Sequence, residues 1–311
     1  MENKLEKEAL LKKSWIVCVL ALACCLLWGS AFPCVKVGYS LFNIAREDIP
    51  SQILFAGLRF VLAGVLAIFI GSVLNKKALV PQKSSWTMVL KLSLVQTVLQ
   101  YLLFYIGLAN TTGVKSSIIE ASNVFFAIII SALAFKQEKL GSKKLLGCLL
   151  GFMGVVIINL SGGLDASFSL MGEGAILLSA LSYGFSSALI KSYSQRESPV
   201  TLSGYQFLIG GLVMTAIALA FGGRLSSFSL RGVLLLVYMA IISAVAYSLW
   251  GILLKYNPVG RVTVYGFMNP VFGVILSAVI LKENSSAFSL RGIVALALVS
   301  AGIYMVNKDK S

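Results

Sequence analysis

Ten apolar stretches, separated by short polar breaks, fill nearly all of this 311-residue chain. A bilayer-spanning helix uses roughly 20 apolar residues, so ten of them take about 200 residues and leave about 100 for ends and loops. No extramembrane domain of useful size fits in that remainder. Only 12% of residues are charged and 58% are hydrophobic, against about a quarter charged in soluble domains. The stretches are continuous rather than alternating in ten-residue strands, which excludes a β-barrel. The predicted fold class is all-α: a polytopic membrane protein with ten transmembrane helices.

The predicted helices cover 14–35, 51–73, 86–107, 113–135, 143–160, 171–192, 201–222, 229–254, 260–281 and 289–307, with a tight hairpin at Asn110-Thr111-Thr112-Gly113. Residues 1–13 form a short N-terminal segment, read as a juxtamembrane amphipathic helix. Lys12 and Lys13 before an apolar run also fit a signal peptide cleaved after Ala21-Leu22-Ala23. Apolar character continuing through Trp28, Phe32 and Val35 favours an uncleaved span. The net charge of +14 resides mostly in loops, where it sets topology rather than a nucleic-acid surface. Assigned to alternate sides, Lys and Arg number 17 on the side of the N-terminus and 7 on the other. Both termini, including the tail 308–311, are therefore expected in the cytoplasm and the chain in the cytoplasmic membrane.

The chain has no histidine. Cys18, Cys24, Cys25 and Cys148 lie inside apolar stretches and Cys34 near a predicted helix end, which reads as buried thiols rather than a disulfide framework. Zinc sites and His-dependent triads have no parts to be built from. We expect no cofactor, no metal and no catalytic residue.

Two segments repeat. Gly154–Asn159 reads GVVIIN and Gly302–Asn307 reads GIYMVN; Asn110–Gly113 reads NTTG and Asn257–Gly260 reads NPVG. Asn123-Val124-Phe125 echoes Asn269-Pro270-Val271-Phe272, and Lys136-Gln137-Glu138 echoes Lys282-Glu283. The pairs are collinear, so residues 14–160 and 171–307 are two copies of one five-helix unit. An odd helix number makes the second copy enter the membrane from the opposite side, giving an inverted repeat. Such halves exchange shapes to produce two conformations of similar energy, with substrate held near the midplane.

With Trp28-Gly29-Ser30-Ala31-Phe32, Leu58-Arg59-Phe60, the Gly147, Gly151, Gly154 series, Asn269-Pro270-Val271-Phe272 and Leu281-Lys282-Glu283 in this order, the chain resembles the EamA-type members of the drug/metabolite transporter superfamily. The resemblance covers both halves. It implies a ten-helix carrier of the cytoplasmic membrane, commonly an exporter of amino acids or other small metabolites. One departure is Ser122-Asn123 in the first half, where the family usually has a proline hinge.

Charged groups inside spans cost about 2.5 to 3.5 kcal/mol at a helix centre and are functional candidates. Lys91 lies within snorkelling reach of a helix end. Arg59 and Glu120 sit at matching depth and are expected to form an ion pair or to line a wet cavity. A static, architectural pair is one reading. In another, Glu120 is a proton-coupling carboxylate for which proton and substrate compete; in a third, Arg59 anchors a substrate carboxylate and Glu120 holds it between loads.

Gln100 and Tyr101 lie at similar depth, while Asn123 and Asn269 are repeat-related, near the midplane, and candidates to face substrate or to bond helix to helix. Pro270 frees the carbonyl of Gly266 and is expected to bend the ninth helix. Trp28, Tyr183, Tyr205, Tyr247 and Tyr265 are candidates for stacking on a ligand or for core packing, whereas Trp15 and Trp86 read as interface anchors. Glycines within spans predict close helix packing, and none forms a phosphate loop. The charges of Lys136–Lys144 and Lys282-Glu283 read as loop charges. The expected function is secondary active transport of a small metabolite, an amino acid or related compound, by alternating access and in the outward direction. Its partners are that substrate, the lipid bilayer and protons. The alternative is a non-transporting membrane protein, lipid-interacting or regulatory.

Overall fold

A computed structural model describes residues 2–45, 47–159, 168–281 and 290–308. Among the described residues, ten helices are long and apolar enough to cross a membrane. They are α1 (Ser14–Leu41), α2 (Ile49–Leu74), α3 (Lys83–Ala109), α4 (Lys115–Ala134), α5 (Ser142–Asn159), α6 (Leu170–Tyr193), α7 (Pro199–Ala220), α8 (Leu230–Tyr256), α9 (Val259–Ile280) and α10 (Leu290–Lys308). Large apolar side chains such as Phe69, Leu94, Leu146, Leu219, Ile241 and Leu296 project outward along these helices, as a lipid-facing surface requires and a water-facing one forbids. Crossing ten times returns the chain to the face on which it starts. That side is called the N-terminal face below.

A separate helix, Glu2–Lys12, precedes α1 and packs against the N-terminal-face end of α8, where Asn257 Nδ2 donates to the Leu11 carbonyl at 3.0 Å. Helix α1 is longer than predicted. It runs through Pro33 to Leu41, so Cys34 is an interior, buried residue and Lys36 belongs to the helix rather than to a loop. Packed between α8 and α9, α1 is an integral element of the bundle. The hairpin between α3 and α4 is present: Asn110 ends one helix, and the Thr112 hydroxyl caps the next by accepting the Lys115 N–H at 3.2 Å.

The helices pack in a pattern that exchanges with itself when the halves are swapped. The α2–α7 and α5–α10 contacts are each self-paired under the exchange, while α1 packs on α8 and α9 as α6 packs on α3 and α4. Glycines make these crossings possible. A methyl at Gly64 would stand 2.5 Å from the Leu208 backbone nitrogen, and one at Gly211 2.6 Å from that of Val61. The α2 and α7 backbones are therefore in near contact, which any larger side chain prevents. Likewise a methyl at Gly29 of α1 would meet Phe272 of α9 at 2.5 Å, and one at Gly184 of α6 would meet Phe126 of α4 at 2.7 Å. These are the same contact between the halves, made once with the roles of the halves exchanged.

Two bundles result, one of α3, α4 and α6 and one of α1, α8 and α9, joined by the α2–α7 and α5–α10 pairs. The bundles meet unequally. On the N-terminal face, Asn123–Ile129 of α4 packs on Val259–Thr263 of α9, and α6 packs on α8. Among the described residues the counterparts on the opposite face, the first turns of α4 with Met268–Leu281 and α1 with α3, show no comparable packing. The bundles are closed together at the N-terminal face and splayed at the other.

Candidate functional site at the bundle interface

Both α4 and α9 are interrupted inside their spans, each nearer the end at which it starts. In α4 the helix stops at Glu120, turns through Ala121-Ser122 and restarts at Asn123. In α9 a tight 3-10 turn, Val264–Phe267, precedes a restart at Met268. Pro270 lies just inside the restarted helix, where a missing N–H costs least. The break in α4 forms without a proline. Here Ser122 accomplishes it: its N–H bonds back three residues to the Ile119 carbonyl at 2.9 Å and its hydroxyl donates to the same oxygen at 2.6 Å. The lost family proline therefore does not remove the discontinuity, because a serine back-bonding to its own turn supplies an alternative to the helical ladder.

Irregular backbone at this depth is tolerated where protein surrounds it or where it lines a cavity. Around these breaks the structure gathers two groups of side chains. The first is aromatic and cationic. The Arg59 guanidinium carbon lies 4.4 Å from the Phe60 ring centroid and 5.7 Å from that of Tyr101. Tyr101 shares a 2.7 Å hydrogen bond between hydroxyls with Tyr247, which packs edge-on against Trp28 at 5.0 Å and Phe207 at 4.8 Å. Phe207 in turn stacks on Phe60 at 5.1 Å. Residues from α1, α2, α3, α7 and α8 thus form one aromatic cluster, with the arginine against its Phe60 and Tyr101 members.

Glu120 belongs to the second group, with Asn123 of the restarted helix and Ser179 of α6 beside its carboxylate. Its Oε2 is shut off from the surroundings with no hydrogen-bond partner of acceptable geometry. Tyr183 stands between the groups, within electrostatic reach of Tyr101 and Glu120. Arg59 and Glu120 do not pair. Among the described residues the ion pairs are Lys115–Glu173 and Lys144–Glu138, and Arg59 has a buried Nε with no partner. The expected ion pair is replaced by aromatic faces around the cation and by amide and hydroxyl groups around the carboxylate.

Other candidates divide. Gln100 and Asn269 each hold a buried carbonyl oxygen without a partner, as Trp28 does an indole N–H, so these three keep polar capacity inside the spans. Tyr265 lies within the α9 turn and is packed in the core, its carbonyl accepting from the Cys25 thiol at 3.2 Å. Tyr205 packs on Trp86 at 5.5 Å. Lys91 is exposed, consistent with snorkelling, and Trp15 is 62% exposed, as an interface anchor is. The cysteines are free thiols, all buried except the half-buried Cys18. Lys282 and Glu283 lie outside the described residues.

Some participants escape a reading by charge alone. Ser179 has no sequence signal, since small polar residues are common in spans. Gln96 and Gln206 had one, as amides within apolar runs. They form a buried chain in which Gln206 donates to Gln96 at 2.6 Å and Gln96 to Ser186 at 3.0 Å, tying α3, α6 and α7 together. Glu138 and Lys144 are not solvated loop charges. They form a buried pair at 3.0 Å, each side chain at most 4% exposed.

Comparison with known proteins agrees with this architecture. The EamA-like transporter family matches twice, over residues 15–160 and 170–308. An uncharacterized transporter of Synechocystis sp. is 29% identical over 300 residues, covering 91% of this chain and 87% of the relative. A protein of Escherichia coli named "probable amino-acid metabolite efflux pump" is 27% identical over 297 residues, covering 92% and 93%. One crystal structure superposes with a TM-score of 0.75 over 93% of this chain and 95% of its own at 16% identity, which speaks to the fold. With the family model matching both five-helix halves, this chain belongs to the EamA-like transporter family.

Proposed function

We propose that this multi-pass membrane transporter is a secondary carrier that exports a zwitterionic small metabolite, an amino acid or close relative, by alternating access. The observation that carries this reading is the pair of repeat-related breaks in α4 and α9 beside an unpaired arginine and a separately held carboxylate. Arg59 offers two-point binding to a substrate carboxylate. Glu120 receives either the substrate ammonium or a proton, so the two compete and their movements are coupled. The aromatic enclosure of Trp28, Tyr101 and Tyr247 accommodates the apolar part, while Gln100, Asn123, Tyr183 and Asn269 supply hydrogen bonds. Relatives named as amino-acid metabolite efflux pumps support the substrate class.

The surplus of Lys and Arg on the N-terminal side supports cytoplasmic termini and a place in the cytoplasmic membrane. In that orientation the closed N-terminal face makes the described conformation outward-facing. The test is uptake of labelled amino acids into proteoliposomes with and without a pH gradient. Gradient-driven accumulation is expected for one chemical class and is lost in Glu120→Gln while exchange of unlabelled for labelled substrate persists. Accumulation that stays equally dependent on the gradient in Glu120→Gln contradicts the coupling role.

A further inference from the structure

The closed face is held by a polar corner that substrate binding does not involve. Helix α8 ends and α9 begins around Asn257-Pro258, so the corner carries the last carbonyls of one helix and the first N–H groups of the next. Such groups have no partners within their own helices. The other bundle satisfies both kinds. Lys191 of α6 donates from Nζ to the carbonyls of Lys255 at 3.2 Å and Asn257 at 2.7 Å, and Gln195 donates to the Lys255 carbonyl at 3.0 Å. Glu138, beyond the end of α4, accepts the Gly260 N–H at 2.8 Å. A cation thus meets a helix C-terminus and a carboxylate meets a helix N-terminus, the favourable sign in each case.

Every one of these bonds crosses between the two bundles, so the N-terminal face cannot open until they break. Glu138 keeps Lys144 as its ionic partner whether or not Gly260 is present, which spares it from becoming an unpaired buried charge on separation. The corner also borders a cavity of about 730 Å³, lined by Gln137, Lys191, Gln195 and Lys255 and by Glu8 and Lys12 of the N-terminal helix. Water there can take over the released donors and acceptors.

The repeat supplies a counterpart on the other face. Lys191 follows Gly184 by seven residues, and Lys36 follows Gly29 by seven; those two glycines make the equivalent close contacts described above. Asn110 ends α3 as Asn257 ends α8. By the repeat, Lys36 corresponds in sequence to Lys191 and Asn110 to Asn257.

We propose that Lys191 and Lys36 are reciprocal gate residues: Lys191 clamps the α8–α9 corner while the N-terminal face is closed, and Lys36 clamps the α3–α4 corner while the opposite face is closed. Each half-cycle exchanges one set of lysine-to-carbonyl bonds for a chemically similar set, which keeps the two states close in energy. The proposal rests on the alternating-access reading.

Spin-label distances test it in the full-length protein in lipid nanodiscs, with the five native cysteines replaced by alanine and transport retained. One label pair, Lys13→Cys with Lys139→Cys, spans the N-terminal face, and another, Ser40→Cys with Ala109→Cys, spans the opposite face. Lys191→Met is expected to shift the ratio of states about tenfold toward an open N-terminal face, and Lys36→Met about tenfold the other way. Lys191→Arg and Lys36→Arg are expected to restore the unsubstituted distributions, which separates clamping from a folding defect. Two distances that interconvert, but that neither methionine variant moves or that both move in one direction, overturn the gate assignment and leave the carrier reading standing. A single distance at each face, unchanged by any amino acid or variant, overturns both.

Discussion

Arg59 is the residue on which most turns, because it is buried, positively charged and without an ion-pair partner among the described residues. Aromatic faces repay part of the desolvation of such a cation, about 0.5 to 2 kcal/mol, but leave its hydrogen-bonding capacity unspent. A residue kept for structure alone loses stability when removed, whereas a residue kept for ligand binding need not. Arg59→Met is therefore expected to hold or raise the thermal unfolding temperature in detergent while lowering kcat/KM for transport at least tenfold, the weight of a charge-assisted bond of about 1.5 to 3 kcal/mol. A marked fall in unfolding temperature is the opposite outcome and assigns Arg59 to architecture.

Sequence singled out Arg59 and Glu120, since a charge inside an apolar run announces itself. Whether they touch was not legible. Depth along two helices says nothing of their rotation, and it is rotation that turns Arg59 toward Phe60 and Tyr101 and sets Glu120 beside Asn123 and Ser179. The buried partnership of Glu138 with Lys144 was hidden for a related reason. Between spans, a charge reads as solvated unless the chain returning from elsewhere, here Gly260 of α9, covers it.

Among the elements, the broken helices carry the clearest prediction. Val124 holds the place in α4 that Pro270 holds in α9, and its N–H makes only a long 3.4 Å bond to the Ala121 carbonyl. Val124→Pro removes little and restores the proline of the second half, so a loss below about 1 to 2 kcal/mol is expected. Ala127→Pro, within the restarted helix, is expected to cost about 3 kcal/mol or more. Thermal unfolding and yield of the two variants decide it; equal losses would mean that α4 is continuous at Ser122. The end of α3, the bend before Pro270 and the close packing of glycines were all readable from Gly, Pro and Asn positions. The break at Ser122 was not, because a serine in a span ordinarily bonds back to its own helix without interrupting it. Gly64→Val tests the α2–α7 crossing: with a methyl already 2.5 Å from the Leu208 backbone, the variant is expected to lose folded protein rather than transport alone, as judged by monodisperse yield.

At the scale of the whole molecule, the repeat is the organising fact. It was legible as a handful of short echoed motifs, and it reappears as paired contacts, Gly29 on Phe272 and Gly184 on Phe126. Nothing in the sequence selects which face is closed, because both corners carry similar residues; the packing of Asn123–Ile129 on Val259–Thr263 and of α6 on α8 shows it. In the proposed reading, two bundles closed at one face around a buried arginine are one state of a carrier, and a carrier differs from a pore in exchanging its cargo. The most direct test is counterflow: proteoliposomes loaded with excess unlabelled amino acid are diluted into trace labelled amino acid. The account predicts transient accumulation of label above equilibrium for the wild type and its loss in Arg59→Met. Label that only equilibrates, at the same rate whatever the interior holds, would contradict alternating access.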